Sequence, residues 1–83
     1  MKMMDFYADW CGPCQMLKPV IGEIEKEHPE LEIEAINIDD QPEVAEKFGV
    51  MSIPTLVIVD NDKIKETLVG VKSKAEIERA IKE

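Results

Sequence analysis

The chain predicts an α/β fold of order β-α-β-α-β-β-α, a four-stranded mixed sheet with helices on both faces. Three observations predict it. Apolar residues recur at helical spacing between two short β-like stretches. A continuous apolar run, Thr55-Leu56-Val57-Ile58-Val59, is followed by a polar turn and a second strand. Ser73 and Glu76 then form a capping box ahead of a last amphipathic stretch.

Residues 2–8 alternate weakly and end in Phe6-Tyr7-Ala8, which predicts a first strand. From residue 11 to about residue 27, Leu17, Val20, Ile21 and Ile24 mark one helical face. Pro19 lies within that helix and is expected to kink it, and Pro29 lies just past its end. Residues 31–38 read as a strand, with Leu31, Ile33 and Ala35 alternating against Glu32 and Glu34. A turn over Asp39-Asp40-Gln41-Pro42 leads into a short helix. Val44, Ala45 and Phe48 form its apolar face, and Gly49 stops it. The run 55–59 suits a strand covered on both faces. Asp60-Asn61-Asp62-Lys63 makes a hairpin turn without the usual glycine, and residues 64–69 return as the last strand, ended by Gly70. The final helix buries Ile77, Ala80 and Ile81. A right-handed crossover makes the first two strands parallel, and the hairpin adds two antiparallel strands on the other side. The first strand is therefore internal.

At 83 residues the chain is expected to form a single domain over residues 1–83. It is 45% hydrophobic and 34% charged, an ordinary globular balance. Eighteen acidic and ten basic residues leave a formal charge of −8, which repels phosphate backbones and anionic lipid. Nucleic-acid and membrane binding are thereby disfavoured. Met1-Lys2-Met3-Met4 runs straight into Asp5 without a signal-peptide h-region, and no apolar run has the length of a membrane span. A reducing cytoplasm is the expected compartment, where a close cysteine pair is catalytic more often than structural.

The only two cysteines stand three residues apart in Trp10-Cys11-Gly12-Pro13-Cys14, where the first strand gives way to a helix. Residues i and i+3 of a first helical turn are neighbours, so the sulfurs can close a small ring. Cys11 sits at the positive end of the helix dipole, which stabilises a thiolate; Cys14 lies one turn deeper and better shielded. Cys11 is then the attacking thiol and Cys14 the resolving one. Two other uses stay open. A zinc site needs four ligands, and the sole histidine, His28, is expected to cap or solvate the far end of the same helix. Metal binding would require a second chain or carboxylates. A purely structural bridge closing so short a ring would remove little chain entropy.

The resemblance reaches past the cysteines. Asp5-Phe6-Tyr7-Ala8-Asp9-Trp10-Cys11-Gly12-Pro13-Cys14, Pro19, Ile36-Asn37-Ile38-Asp39, Ile53-Pro54-Thr55-Leu56 and Val69-Gly70 together resemble the thioredoxin family, in order and over essentially the whole chain. The resemblance implies a thioredoxin-like fold and protein dithiol–disulfide exchange. It makes Cys11 the exposed nucleophile, Cys14 the buried resolving thiol, and Asp5 the buried acid relaying a proton to or from Cys14. A carboxylate desolvated inside a strand also has a raised pKa, useful for that task. Pro54 matches the family's cis-proline, leaving the Ile53 backbone free to pair with an extended substrate. Trp10, Gly12, Pro13, Gly70 and Val71 would complete a shallow apolar groove.

The chain is similar to the short archaeal and bacterial members that begin at the family's second strand, with a sheet closer to that of a glutaredoxin. Residues 31–38 then form an exposed edge, which Glu32 and Glu34 would protect from pairing. The lysine that neighbours the buried acid in many thioredoxins falls at Ala35, leaving the tuning of Asp5 and the thiols open. The expected partners are disulfide-containing proteins and a reductase linked to NADPH, ferredoxin or F420. The protein is expected to be monomeric, with no cofactor and no metal. A glutathione-dependent glutaredoxin-like enzyme and a non-catalytic peptide-binding module are the rival functions; Gly12-Pro13 and Trp10 argue against the first.

Overall fold

A computed structural model describes residues 1–82. The chain runs β1 (Lys2–Tyr7), α1 (Gly12–Glu27), β2 (Glu32–Asn37), α2 (Pro42–Lys47), β3 (Thr55–Asp60), β4 (Lys63–Val69) and α3 (Lys74–Lys82). The strands form one four-stranded sheet of order β2-β1-β3-β4. β1 is internal, parallel to β2 and antiparallel to β3, and β4 pairs antiparallel to β3 at the far edge. This is the predicted order and topology. β1 and β2 are shorter than expected, with Ala8, Leu31 and Ile38 just outside them, whereas β3 and β4 each gain a residue, Asp60 and Lys63, from the expected turn.

The alternation of β1 divides the core. Met3 points to the face covered by α1 and α3, where it joins Leu17, Ile24, Leu56, Ile58 and Ile77. Met4 and Phe6 point the other way, to Ile36, Val57 and Ala45 of α2. Phe6 also meets the ring of Phe48, the C-cap residue of α2, at a centroid distance of 6.0 Å. Each of these large side chains removed from water contributes about 1.5–3 kcal/mol, so the layering follows from the period of two in β1.

The hairpin forms without glycine because Asn61 and Asp62 both take left-handed backbone angles, with φ of 54° and 63°. Those two residue types tolerate that region best after glycine, and a two-residue turn of this hand matches the twist of the paired strands. Gly49, at φ +68°, follows α2 where a side chain would be strained. The capping box is present: the Ser73 N–H donates to Glu76 Oε2 at 2.9 Å, and the Glu76 N–H donates to Ser73 Oγ at 3.2 Å.

Of the two roles expected of His28, capping and solvating the helix end, the structure shows the first. It is the C-cap of α1, and its N–H donates to the Ile24 carbonyl at 2.9 Å. Its ring is largely shielded, with Nε2 2.9 Å from Glu78 of α3 and Nδ1 3.4 Å from Glu30. The close approach of α1 to α3 turns a helix end into a bridge between two helices. On the exposed edge, Glu34 and Glu32 do more than deter pairing. They flank Lys2 of β1, with Nζ–O distances of 2.5 and 3.9 Å.

Candidate active site

β1 ends at Tyr7, and the chain turns through Ala8, Asp9 and Trp10 before α1 begins. The Cys11 N–H donates to the Ala8 carbonyl at 3.2 Å, which sets Cys11 as the N-cap of α1 in extended geometry. Pro13 occupies the first turn, where its missing N–H costs nothing. The Cys14 N–H points at Cys11 Sγ, 3.2 Å away. Cys11 and Cys14 are joined by a disulfide, with Cα atoms 5.3 Å apart. The helix N-terminus thus places one free N–H and its dipole on the first sulfur, the arrangement that favours a thiolate there.

The expected difference in shielding between the two cysteines is absent. Both are buried, at 4% exposure each, packed with Ala8 and flanked by Tyr7, Ile38 and Ile53. In the bridged form the Cys11 sulfur is turned toward Cys14 rather than outward. What distinguishes the two is the company each keeps. Cys11 accepts a backbone hydrogen bond, whereas Cys14 lines a cavity of about 330 Å³ behind the bridge.

That cavity also holds Asp5, Tyr7, Lys18, Ile21 and Ala35. Asp5 lies in the middle of β1, half-buried, opposite Ala35 of β2 and Leu56 of β3. Burial pushes its carboxyl above the usual range, and the Lys18 ammonium partly opposes that rise. A carboxyl raised in this way stands in the same cavity as the second cysteine.

On the outer side, Trp10 is 70% exposed and its indole N–H donates to Asp39 Oδ2 at 2.9 Å. Trp10 lines a second cavity, about 310 Å³, with Ile38, Val50, Met51, Ser52 and Ile53. Gly12, Pro13 and Val71 are exposed, Ile53 and Gly70 half-buried, and Pro54 fully buried. The Ile53–Pro54 peptide is cis, as the resemblance implies. Gly70 joins this loop through its N–H, which donates to the Pro54 carbonyl at 2.8 Å. The structure therefore gathers Trp10 and Ile53 into one cavity near the cysteines. Gly70 is tied to the neighbouring loop by that bond, and neither it nor Val71 lines that cavity.

Three residues at the site escape sequence reasoning. Asp39 stands in one of the family-like segments, yet by itself it reads only as part of a turn. Lys18 stands four residues after Cys14, a spacing that puts both on one helix side, so the sequence does carry a signal for it. Met51, 97% exposed on the rim, carries no sequence signal as a lone loop methionine. Among the described residues no group of three or more His, Cys, Asp or Glu side chains gathers as a metal site, and no helix is long and apolar enough to cross a membrane.

Comparison with known proteins accords with this geometry. A family model described as Thioredoxin matches residues 1–83. A thioredoxin of Listeria monocytogenes is 45% identical over 80 residues, spanning 95% of this chain and 78% of the relative. One of Chlamydia caviae is 46% identical over 79 residues, with the same shares. Among solved structures, a single-site mutant of a thioredoxin from Halobacterium salinarum superposes with a TM-score of 0.92 at 34% identity, over 98% of this chain and 71% of that one. The oxidised mitochondrial thioredoxin 3 of Saccharomyces cerevisiae gives 0.91 at 28% identity, over 98% and 76%.

Proposed function

This chain belongs to the thioredoxin family and is a thiol–disulfide oxidoreductase that reduces target proteins, and from that premise we propose how its own residues divide the work. Cys11, as thiolate, attacks one sulfur of a target disulfide. A Cys11–target mixed disulfide forms, and the other target sulfur leaves as a thiolate that takes a proton from water. Cys14 then gives its proton to Asp5 and attacks Cys11 Sγ. The Cys11–Cys14 bridge closes, and the second target sulfur departs as a thiolate that takes up, through water, the proton Asp5 received. Two electrons and two protons pass to the target. A reductase returns the two electrons by opening the bridge.

The observation that carries this assignment is the pairing of unlike environments on two adjacent sulfurs. A backbone N–H at a helix N-terminus faces Cys11, and a carboxyl-bearing cavity backs Cys14. Trp10, Gly12, Pro13, Ile53, Gly70 and Val71 form the docking face for the target segment, and Pro54, buried beneath it, holds the Ile53 backbone for pairing beside Cys11. The whole of residues 1–83 acts as one domain, monomeric and cytoplasmic. Its reductase uses NADPH, ferredoxin or F420 as donor.

Paired cysteine variants test the roles. Cys14→Ser is expected to accumulate a stable mixed disulfide with a target, detected by mass spectrometry, whereas Cys11→Ser traps none and loses insulin reduction entirely. Equal trapping by both variants would remove the distinction. Retention of full biological activity by Cys11→Ser would favour a binding module. Turnover with glutathione and its reductase would favour the glutaredoxin-like alternative.

A further inference from the structure

Asp5 is walled by uncharged partners on its sheet neighbours. Its register partners are Ala35 on β2 and Leu56 on β3, and the adjacent positions facing the same way are Met3 and Tyr7 on β1, Ile33 and Asn37 on β2, and Ile58 on β3. On β4, two strands from β1, Leu68 and Glu66 lie on the same face, so among the described residues Tyr7 and the more distant Glu66 are the titratable groups that the sheet presents there. The helix above it supplies the rest. Cys14, Lys18 and Ile21 are spaced i, i+4, i+7, so all three descend from one side of α1 into the cavity that Asp5 and Ala35 line from below. Lys18 is exposed and yet lines the cavity that holds Asp5. Among the described residues it has no direct ion-pair partner.

We propose that Lys18 is a positioning residue for the redox reaction: across the cavity behind the disulfide its ammonium faces the Asp5 carboxylate and keeps that group ready to accept the Cys14 proton. Lys18 acts in this way only if Asp5 takes that proton, the role assigned to it above. The charge opposes the effect of burial on Asp5. Removing it leaves Asp5 protonated to higher pH, so the base that opens the resolving step is scarcer at neutrality. The neutral methyl of Ala35 at the same cavity leaves room for a positive charge to be supplied from β2 instead.

The test uses the reduced full chain, with Asp5 followed by carboxyl carbon-13 NMR and mixed-disulfide resolution followed across pH. In Lys18→Ala the Asp5 titration and the pH midpoint of resolution both move upward, and resolution at neutral pH is severalfold slower. Lys18→Arg keeps both near the parent values, and Lys18→Ala with Ala35→Lys brings them back. A merely structural lysine would move stability and neither pH midpoint. An Asp5 titration unchanged by Lys18→Ala overturns the proposal, as does a moved titration with an unmoved rate profile. Asp5→Asn separates the two assignments. If it abolishes the pH step that Lys18→Ala leaves intact, Lys18 alone is excluded; if the step survives in Asp5→Asn, the role of Asp5 falls first and that of Lys18 with it.

Discussion

The Trp10 indole, 70% exposed, stands directly before Cys11, and a hydrogen bond to Asp39 fixes its direction. An N–H held by a carboxylate is a charge-assisted bond, but this one is open to water, which reduces its net contribution to about 0.5–1 kcal/mol. Its consequence is orientation. With the ring swung free, the docking face must be reordered each time a target binds, and an aromatic anchor immobilised only on binding weakens affinity. Asp39→Ala is therefore expected to raise the apparent KM for insulin reduction about threefold with kcat little changed, and to lower the fluorescence anisotropy of Trp10. An unchanged KM with a mobile indole would take Trp10 out of target recognition. The link is not legible in the sequence because it joins the residue before Cys11 to a turn 29 positions later. Only the parallel pairing of β1 with β2, which carries Tyr7 opposite Asn37, brings them together.

Among the elements, the helices show which sequence signals travel well. The capping box of α3 is local, three residues apart, and forms as expected. The end of α1 depends on what packs there, and α3 delivers Glu78 to His28 while Lys74 pairs with Glu27. The Glu78 hydrogen bond raises the His28 pKa above its usual 6.5, with Glu30 adding to the rise. The same contact lowers Glu78 below its usual 4.5. A raised histidine pKa means stability present in full below 6.5 and lost as pH climbs through the folded-state value. The lowered glutamate adds stability present above 4.5 and lost as pH falls through its own folded-state value. The clamp thus contributes most between those two ordinary values. The melting temperature of the parent should exceed that of His28→Gln by most at about pH 5.5, with the gap shrinking by about pH 8. Glu78→Gln should reproduce the pattern in thermal unfolding followed by circular dichroism. A gap independent of pH would mean that His28 acts through packing alone.

For the molecule as a whole, two rules make the halves of the sheet readable: a right-handed crossover makes β1 and β2 parallel, and a tight hairpin makes β3 and β4 antiparallel, while the pairing of β3 on β1 joins the halves into one sheet. The cavity behind the bridge is not readable, since it needs the register of β1 on β2 and the rotation of α1 at once. The net charge of −8 is the remaining global property with a consequence for function. Asp9 and Asp39 are exposed beside Trp10, so the acidic excess extends to the docking face. Charges of one sign around a reactive site attract or repel a charged partner during its approach, changing association rates by about 10- to 1,000-fold at low ionic strength. Attack by Cys11 follows encounter, so kcat/KM inherits that factor whenever approach limits the reaction. A disulfide-bridged peptide flanked by lysines should be reduced about tenfold faster than the same peptide flanked by glutamates in dilute buffer. At about 0.5 M salt the screening length falls to about 4 Å, shorter than the separation between the docking face and an approaching flank, and the two rates should converge. Convergence distinguishes steering from contact. If the lysine-flanked peptide keeps its advantage at high salt, specific side-chain contacts select it. Equal rates in dilute buffer would mean that chemistry at the bridge, not approach, governs turnover and that the acidic surface has no part in choosing targets.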